Sequence, residues 1–169
     1  MISWDALGAI AEMVGSAAVI LTLVYLAVQM RQNSGIAIAE SERDIVKHWD
    51  DALQDIIKNN ATMLPAMRNL AAVDDEARHV ATSRIARLIQ AHGIVRQQSV
   101  LNVVSEETLA TADQALACVL TTPGGRAYWA ASGPFWFHPE YVDKMVQSYK
   151  GPSWVEFFDE FKRSIESNG

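Results

Sequence analysis

Residues 7–28 read LGAIAEMVGSAAVILTLVYLAV and contain one charged side chain, that of Glu12. A helix of this length is about 33 Å long, and the hydrocarbon core of a membrane is about 30 Å thick. The sequence therefore predicts a transmembrane helix. A buried core helix and a signal peptide are the alternatives. The signal peptide is disfavoured because no Lys or Arg precedes the apolar run.

The basic residues near this run lie on its C-terminal side, at Arg31, Arg43 and Lys47. Loops rich in Lys and Arg stay in the cytoplasm. We therefore expect a single-pass protein of the inner (cytoplasmic) membrane with its N-terminus outside. Residues 1–33 would form the membrane helix and its flank, and residues 34–169 a cytoplasmic helical domain.

Small side chains recur along the predicted membrane helix at alternating spacings of three and four residues. They are Gly8, Ala11, Gly15, Ala18 and Thr22. This spacing places them on one helix face, where small residues let two membrane helices approach closely. The face predicts self-association or contact with the helix of a partner membrane protein. The alternative is that Gly and Ala are simply common in membrane helices.

Glu12 is the single acid of the apolar run. A carboxylate inside a membrane is costly and usually faces water or the interior of a helix bundle. Glu12 is therefore predicted to join the helix interface, where it would be protonated, hydrogen-bonded to Ser16 or part of a ring of carboxylates in an oligomer. The alternative is that its side chain reaches the headgroup layer.

The composition restricts the class of protein. The chain has 169 residues, of which 50% are hydrophobic and 20% charged, and its net charge is −6. A core of ordinary size is therefore possible, and an acidic chain is unlike a nucleic-acid-binding protein. Cys118 is the one cysteine, so the chain has no internal disulfide and suits a reducing compartment.

The rest of the chain reads as helices separated by short turns, which predicts an all-α bundle with short C-terminal helices. Three acids from Asp74 predict one helix start, because acids complement the dipole at a helix N-terminus, and the segment from Ser105 predicts another. Pro65 is expected in the first turn of a short helix, where proline is tolerated. We expect the helix that starts after residue 35 to continue the membrane helix, with a bend near residues 33–35.

Polar side chains within the apolar pattern of the long middle helix form a candidate pocket or buried network. Arg84, Arg87 and Gln98 share a direction on the helical wheel, and His92 lies on another face. Such groups either close a helical bundle through hydrogen bonds or line a small-molecule pocket.

No sequence motif indicates catalysis. The chain lacks a G-x-S-x-G elbow, a phosphate-binding loop and metal-ligand spacing, so we expect no catalytic residue, cofactor or metal. Gly124 and Gly125 are predicted to cap the C-terminus of the preceding helix rather than to cradle a phosphate. Arg126 is expected to cap carbonyls, stack on Trp129 or pair with an acid such as Glu140; anion binding is the alternative.

Two segments resemble a family of small uncharacterised bacterial proteins. Residues 25–33 read YLAVQMRQN, and an N-terminal apolar helix in that family ends YLAxQxRQN. Residues 123–129 read PGGRAYW, against P-G-x-R-x-W-W, and residues 137–140 (FHPE) match the Phe-x-Pro-Glu segment that follows. Tyr128 departs from the usual Trp. The resemblance gives Pro123 and the residues after it a structural role, and it implies a membrane-anchored helical protein without indicating an activity.

The expected function is therefore that of a non-enzymatic, membrane-anchored interaction or scaffold protein. It would contact membrane lipid, self-associate through its N-terminal helix and bind no nucleic acid. One alternative is an accessory subunit of a larger membrane complex. Another is a sensor or enzyme with a small-molecule pocket in the helical domain.

Overall fold

The computed structural model describes residues 4–167, apart from the side chains of residues 5, 6 and 9. Within this range the protein is all-α, as predicted, with no strand and with a short 3₁₀ turn at Gly133–Phe135. The helices are α1 (Trp4–Lys58), α2 (Asn60–Arg68), α3 (Asp75–Val100), α4 (Glu106–Leu120), α5 (Pro123–Ser132), α6 (Pro139–Ser148) and α7 (Trp154–Ser167).

The chain divides into two units, residues 1–41 and residues 42–169, and α1 contributes to both. The first unit is helical throughout its described part. Residues 33–35 are helical, so a single Gly35 does not end the helix, in keeping with its cost of about 1 kcal/mol relative to Ala. The assignment of residues 1–33 to the membrane helix and its flank, and of residues 34–169 to the cytoplasm, remains a prediction.

One helix, near the N-terminus, is long and apolar enough to cross a membrane. None of its most apolar 18-residue window is buried within the chain. This property separates it from the core helix of a soluble protein, whose apolar residues contact other elements of the same chain.

The second unit is a helical bundle with one continuous core. Helix α3 packs against α2 and α4, helix α5 packs against α2 and α4, α6 against α4 and α7 against α2. The larger core residues are fully buried and come from the end of α1 and from α2, α3 and α4: Ile56, Met63, Met67, Ile85, Leu88, Val95, Leu116, Val119 and Leu120.

Two predicted helix starts are confirmed. The Asp74 carboxylate accepts the Ala77 N–H at 2.7 Å, and the Ser105 hydroxyl accepts the Thr108 N–H at 3.1 Å. Each side chain satisfies a backbone donor that has no partner within the helix.

The expectation for Pro65 is wrong. Helix α2 begins at Asn60, so Pro65 lies inside it rather than in its first turn. Proline has no N–H to offer the carbonyl four residues earlier. The helix accommodates Pro65 because Met63 and Met67 are buried on its core side and because it ends at Arg68, one turn after the proline.

Candidate functional site

The predicted membrane-helix face is open over its whole length. Gly8, Ala11, Gly15, Ala18 and Thr22 are all exposed, and a Cβ added at either glycine would meet nothing within 4 Å. The Thr22 hydroxyl donates to the Ala18 carbonyl at 2.8 Å, which removes its polarity from the helix surface. The backbone along this face is therefore accessible to another helix.

Glu12 lies beside this face and is exposed. The Ser16 hydroxyl donates to the main-chain carbonyl of Glu12 at 2.8 Å, so the bond from Ser16 reaches the backbone and not the carboxylate. Within the described residues the carboxylate has no hydrogen-bond partner.

Arg84 and Arg87 meet at one acid of α1. Arg84 Nε lies 3.5 Å from Asp55 Oδ1, and Arg87 Nη1 lies 3.5 Å from Asp55 Oδ2. Asn59 also donates to Asp55 Oδ1, at 3.2 Å. These residues therefore join α3 to the end of α1 through a partly exposed ionic contact.

His92 lies in a separate cluster, which we call the buried polar cluster: His92, Asp113 and Tyr141. His92 is 2% exposed, and its Nε2 lies 2.6 Å from Asp113 Oδ1. The Tyr141 hydroxyl donates to Asp113 Oδ2 at 2.5 Å. The Asp113 carboxylate of α4 thus accepts hydrogen bonds from side chains of α3 and α6. The three side chains hold these helices in position relative to one another.

One further ring and one guanidinium contact the buried polar cluster. The Trp49 ring contacts the His92 ring edge to face, with centroids 6.3 Å apart. The Arg96 guanidinium lies over the Tyr141 ring, its Cζ 3.8 Å from the centroid. Burial raises the pKa of Tyr141 to about 12, assisted by the hydrogen bond to Asp113 and its charge; the Arg96 charge acts in the opposite direction.

The four polar residues singled out on α3 therefore do not form one site. Arg84 and Arg87 pair with Asp55, and His92 pairs with Asp113. The main-chain carbonyl of Gln98 accepts the Val103 N–H at 2.9 Å, at the end of the helix. Whether any of these residues serves a ligand stays a prediction.

Sequence reasoning missed Asp113, Tyr141 and Arg96. Asp113 lies 21 residues after His92, and Tyr141 lies 28 residues after Asp113, so no local spacing connects them. One weak signal was available. Helix α3 carries four arginines but has acids only in its first turn, so Arg84, Arg87 and Arg96 need partners on other helices.

The expectation that Gly124 and Gly125 cap a helix C-terminus is wrong. They lie in the first turn of α5, where Pro123 is the first helical residue and the Thr122 hydroxyl accepts the Gly125 N–H at 3.0 Å. The combination of Thr and Pro before the glycines is itself a signal for a helix start.

Both glycines are required by close packing rather than by an unusual backbone angle. A Cβ at Gly124 would lie 2.1 Å from the Ala66 carbonyl oxygen of α2, and one at Gly125 would lie 2.3 Å from the Val119 carbonyl oxygen. The glycines therefore let the start of α5 contact the backbone of α2 and α4 directly.

Trp129 joins α5 to α6, because its Nε1 donates to Asp143 Oδ1 at 2.7 Å. Arg126 is exposed, and among the described residues no ion pair joins it to Glu140. The acid it influences is Glu156. The pKa of Glu156 is lowered first by hydrogen bonds from Ser153, with a smaller contribution from the Arg126 charge.

Cys118 is half-buried, and burial raises the pKa of its thiol. The neighbouring Tyr149 donates its hydroxyl to the Pro152 carbonyl at 2.9 Å, and burial together with the Cys118 thiol raises the pKa of Tyr149 to about 12. These pKa directions favour the neutral forms of both side chains, so the pair has no feature of an activated nucleophile.

Within residues 4–167 no group of three or more His, Cys, Asp or Glu side chains comes together as a metal ion would require. Comparisons with models of known protein families, with curated proteins and with solved structures give no match to this chain. Any function must therefore be inferred from the residues of this chain.

Proposed function

We propose that the protein is a single-pass, membrane-anchored interaction protein that self-associates through its N-terminal helix. The observation that carries the proposal is the exposure of residues 7–28. Every described side chain in this range is exposed, although the range is strongly apolar. Burying apolar surface contributes about 25 cal/mol per Å², so such a helix is stable only when something outside the chain covers it.

A lipid bilayer fits the length of the segment, and the basic residues that follow it favour a cytoplasmic helical domain. The open face of Gly8, Ala11, Gly15, Ala18 and Thr22 supports contact between two helices. At about 100° per residue, these positions span about 80° of the helix surface, and Glu12 lies just beyond them. A second copy supplies the same face in return, as symmetric dimers do.

Membrane anchoring is tested by alkaline carbonate extraction of membranes that contain the full chain. We expect the protein in the membrane pellet. Replacing Val19 by Arg, near the centre of the apolar segment, should reduce that fraction because Arg costs about 3 kcal/mol at the centre of a membrane helix. Val46→Arg, on an exposed position outside the segment, is the matched control. Extraction of the wild-type chain into the supernatant would refute anchoring.

Self-association is tested by native mass spectrometry in mild detergent, with the same change made on the small-residue face and about 100° away from it. Ala18→Leu enlarges the small-residue face, whereas Ala17→Leu lies about 180° from Gly8. We expect Ala18→Leu and Gly15→Leu to weaken association by about tenfold or more and Ala17→Leu to leave it unchanged. Equal effects of the two Ala→Leu changes would remove this interface, and a wild-type monomer would favour an accessory subunit that awaits its partner.

Glu12→Gln distinguishes the two positions open to this carboxylate. If Glu12 belongs to the helix interface, the change alters the oligomer or the pH dependence of its assembly. If its side chain reaches the headgroup layer, the mass spectrum and its pH dependence stay as in the wild type.

Orientation is tested with C-terminal fusions of green fluorescent protein and of alkaline phosphatase, the latter being active only after export. A cytoplasmic helical domain predicts fluorescence and no phosphatase activity. The reverse pattern would place the domain outside.

A further inference from the structure

A cavity of about 290 Å³ lies in the helical domain, between α3 and the segment that leads into α6. Its lining includes His92, Gly93 and Arg96 of α3, and Trp136, Phe137 and His138 of the following segment. Small-molecule sites are concave and mostly apolar, and their volumes begin at about 300 Å³. The size and the mixture of aromatic and polar walls therefore fit a small organic molecule.

Arg96 is the exception among the arginines of α3. Arg78 pairs with Asp75, and Arg84 and Arg87 pair with Asp55. In the described part of the chain the Arg96 side chain has no acidic partner and no hydrogen-bond acceptor; its Nε is buried without one. Stacking on Tyr141 holds the plane of the guanidinium, so its N–H groups are oriented and available for an anion.

Asp113, the acid of the buried polar cluster, forms no ion pair with this cation among the described residues. Both oxygens of Asp113 already accept hydrogen bonds, one from His92 and one from Tyr141. Since His92 uses Nε2 for this bond, its other ring nitrogen, Nδ1, has no partner among the described residues and belongs to a ring that lines the cavity. Among the described residues that line it, the cavity thus offers the Arg96 cation without an acidic partner.

Two aromatic residues, Trp136 and Phe137, line the cavity. Phe137 is 85% exposed, and Trp136 is packed against the core. His138 between Phe137 and α6 has φ 57° and ψ 50°, a left-handed conformation that is uncommon for a residue other than glycine. Such strain is often found where a chain holds a ligand-binding segment in place. An exposed aromatic ring beside a cavity gains from covering an apolar or aromatic body.

We propose that this cavity binds a small organic monocarboxylate with an aromatic body, its carboxylate on Arg96 and its ring among Trp136 and Phe137. One unpaired guanidinium matches one negative charge. The aromatic part of the lining and the net charge of −6 disfavour a more highly charged anion such as a phosphate. This site is independent of the proposed membrane interface.

The test uses the full-length protein in lipid nanodiscs and fluorine NMR of 4-fluorophenylacetate, with empty nanodiscs as the blank. Benzoate and indole-3-acetate compete as smaller and larger carboxylates, and 4-fluorophenylacetamide is the neutral analogue. We expect saturable binding of the carboxylate, at least about tenfold tighter than that of the amide because a charge-assisted hydrogen bond is lost.

Two variants test the position of the site. Arg96→Met removes the cation and should weaken binding by about tenfold or more. Gly93→Leu adds a side chain at a residue that lines the cavity, and a Cβ there meets nothing within 4 Å. We therefore expect the variant to fold and to lose binding. Arg87→Met, a change of the same kind on the same helix but outside the cavity, should keep binding within about twofold.

Absence of saturable binding by all three carboxylates at millimolar concentration would overturn the proposal. Equal binding of carboxylate and amide, or full binding by folded Gly93→Leu, would overturn it as well. If Arg96→Met fails to fold, Gly93→Leu and the amide comparison still decide the outcome.

Discussion

The two units of the chain differ in what surrounds their side chains. In the first unit every described side chain is exposed, from Trp4 to Ser41. In the second unit a set of apolar side chains forms a buried core, and His92 is also buried, with its own hydrogen-bond partner. The comparison shows that the helical domain provides its own solvent-excluded interior, whereas the apolar helix depends on surroundings that the chain does not provide.

The glycines of the two units differ in the space around them. Gly8 and Gly15 have open space where a Cβ would lie, so they affect only what reaches the helix from outside. Gly124 and Gly125 contact the backbone of neighbouring helices so closely that no Cβ fits. Substitutions at Gly8 and Gly15 should therefore affect association between chains, and substitutions at Gly124 and Gly125 should affect the stability of the fold.

The largest expected effect is that of Gly124→Ala. The added Cβ would lie 2.1 Å from a backbone oxygen of α2, which cannot move as a flexible side chain does. We expect the free energy of unfolding of the helical domain to fall by about 3 kcal/mol, as in severe overpacking. Denaturation followed by tryptophan fluorescence measures this change.

Gly93→Ala and Gly15→Ala are the matched controls, because neither added Cβ meets an atom within 4 Å. Gly93→Ala should raise stability by up to about 1 kcal/mol through helix propensity, and Gly15→Ala should leave the unfolding of the helical domain unchanged. Equal destabilisation by Gly124→Ala and Gly93→Ala would contradict the close contact between α5 and α2.

A smaller loss of stability is expected for Asp113→Ala. The change leaves the His92 Nε2–H and the Tyr141 hydroxyl without their acceptor, and His92 is almost fully buried. A buried donor without a partner costs about 1–3 kcal/mol, so we expect a loss of about 2–3 kcal/mol in chemical denaturation.

Asp159→Ala is the control for Asp113→Ala. It removes an acid paired with Arg68 at the surface, where ion pairs contribute about 0–1 kcal/mol. If both variants lose the same stability, the buried polar cluster contributes no more than a surface contact, and the contrast between the units weakens.

The smallest expected effect is a loss of stability at alkaline pH. Tyr141 and Tyr149 each have a pKa raised to about 12 in the folded chain, mainly by burial, against about 10 when unfolded. Their contribution to stability is therefore complete below pH 10 and is lost as pH rises from about 10 to 12. Absorbance at 295 nm should show tyrosine ionisation that continues to about pH 12, and Tyr141→Phe should reduce this late part. A titration complete by pH 11 would contradict this expectation.

Some local features could be read from the sequence because they depend on neighbouring residues. Asp74 and Ser105 cap helices through side-chain oxygens three residues away from the N–H they accept. The same reasoning, applied fully, would have found the start of α7, where the Ser153 N–H donates to Glu156 Oε2 at 2.7 Å. It would also have given Thr122 as the cap of α5.

Other features could not be read because they join distant residues. A Gly-Gly pair after a helix has the same appearance whether it ends that helix or fits against a neighbouring backbone, and only the position of α2 decides between the two. The arginines of α3 likewise share one helix, but their partners differ: Asp55 for Arg84 and an aromatic ring for Arg96.

The sequence by itself determined the all-α class, the apolar N-terminal helix and the helix starts at Asp74 and Ser105, since each depends on hydrophobic pattern or on side chains within one helical turn. Only the tertiary structure decided which polar groups meet. Hydrogen bonds act over about 3 Å, and His92, Asp113 and Tyr141 come within that distance only when α3, α4 and α6 pack together. The cavity beside Arg96 arises from the same packing.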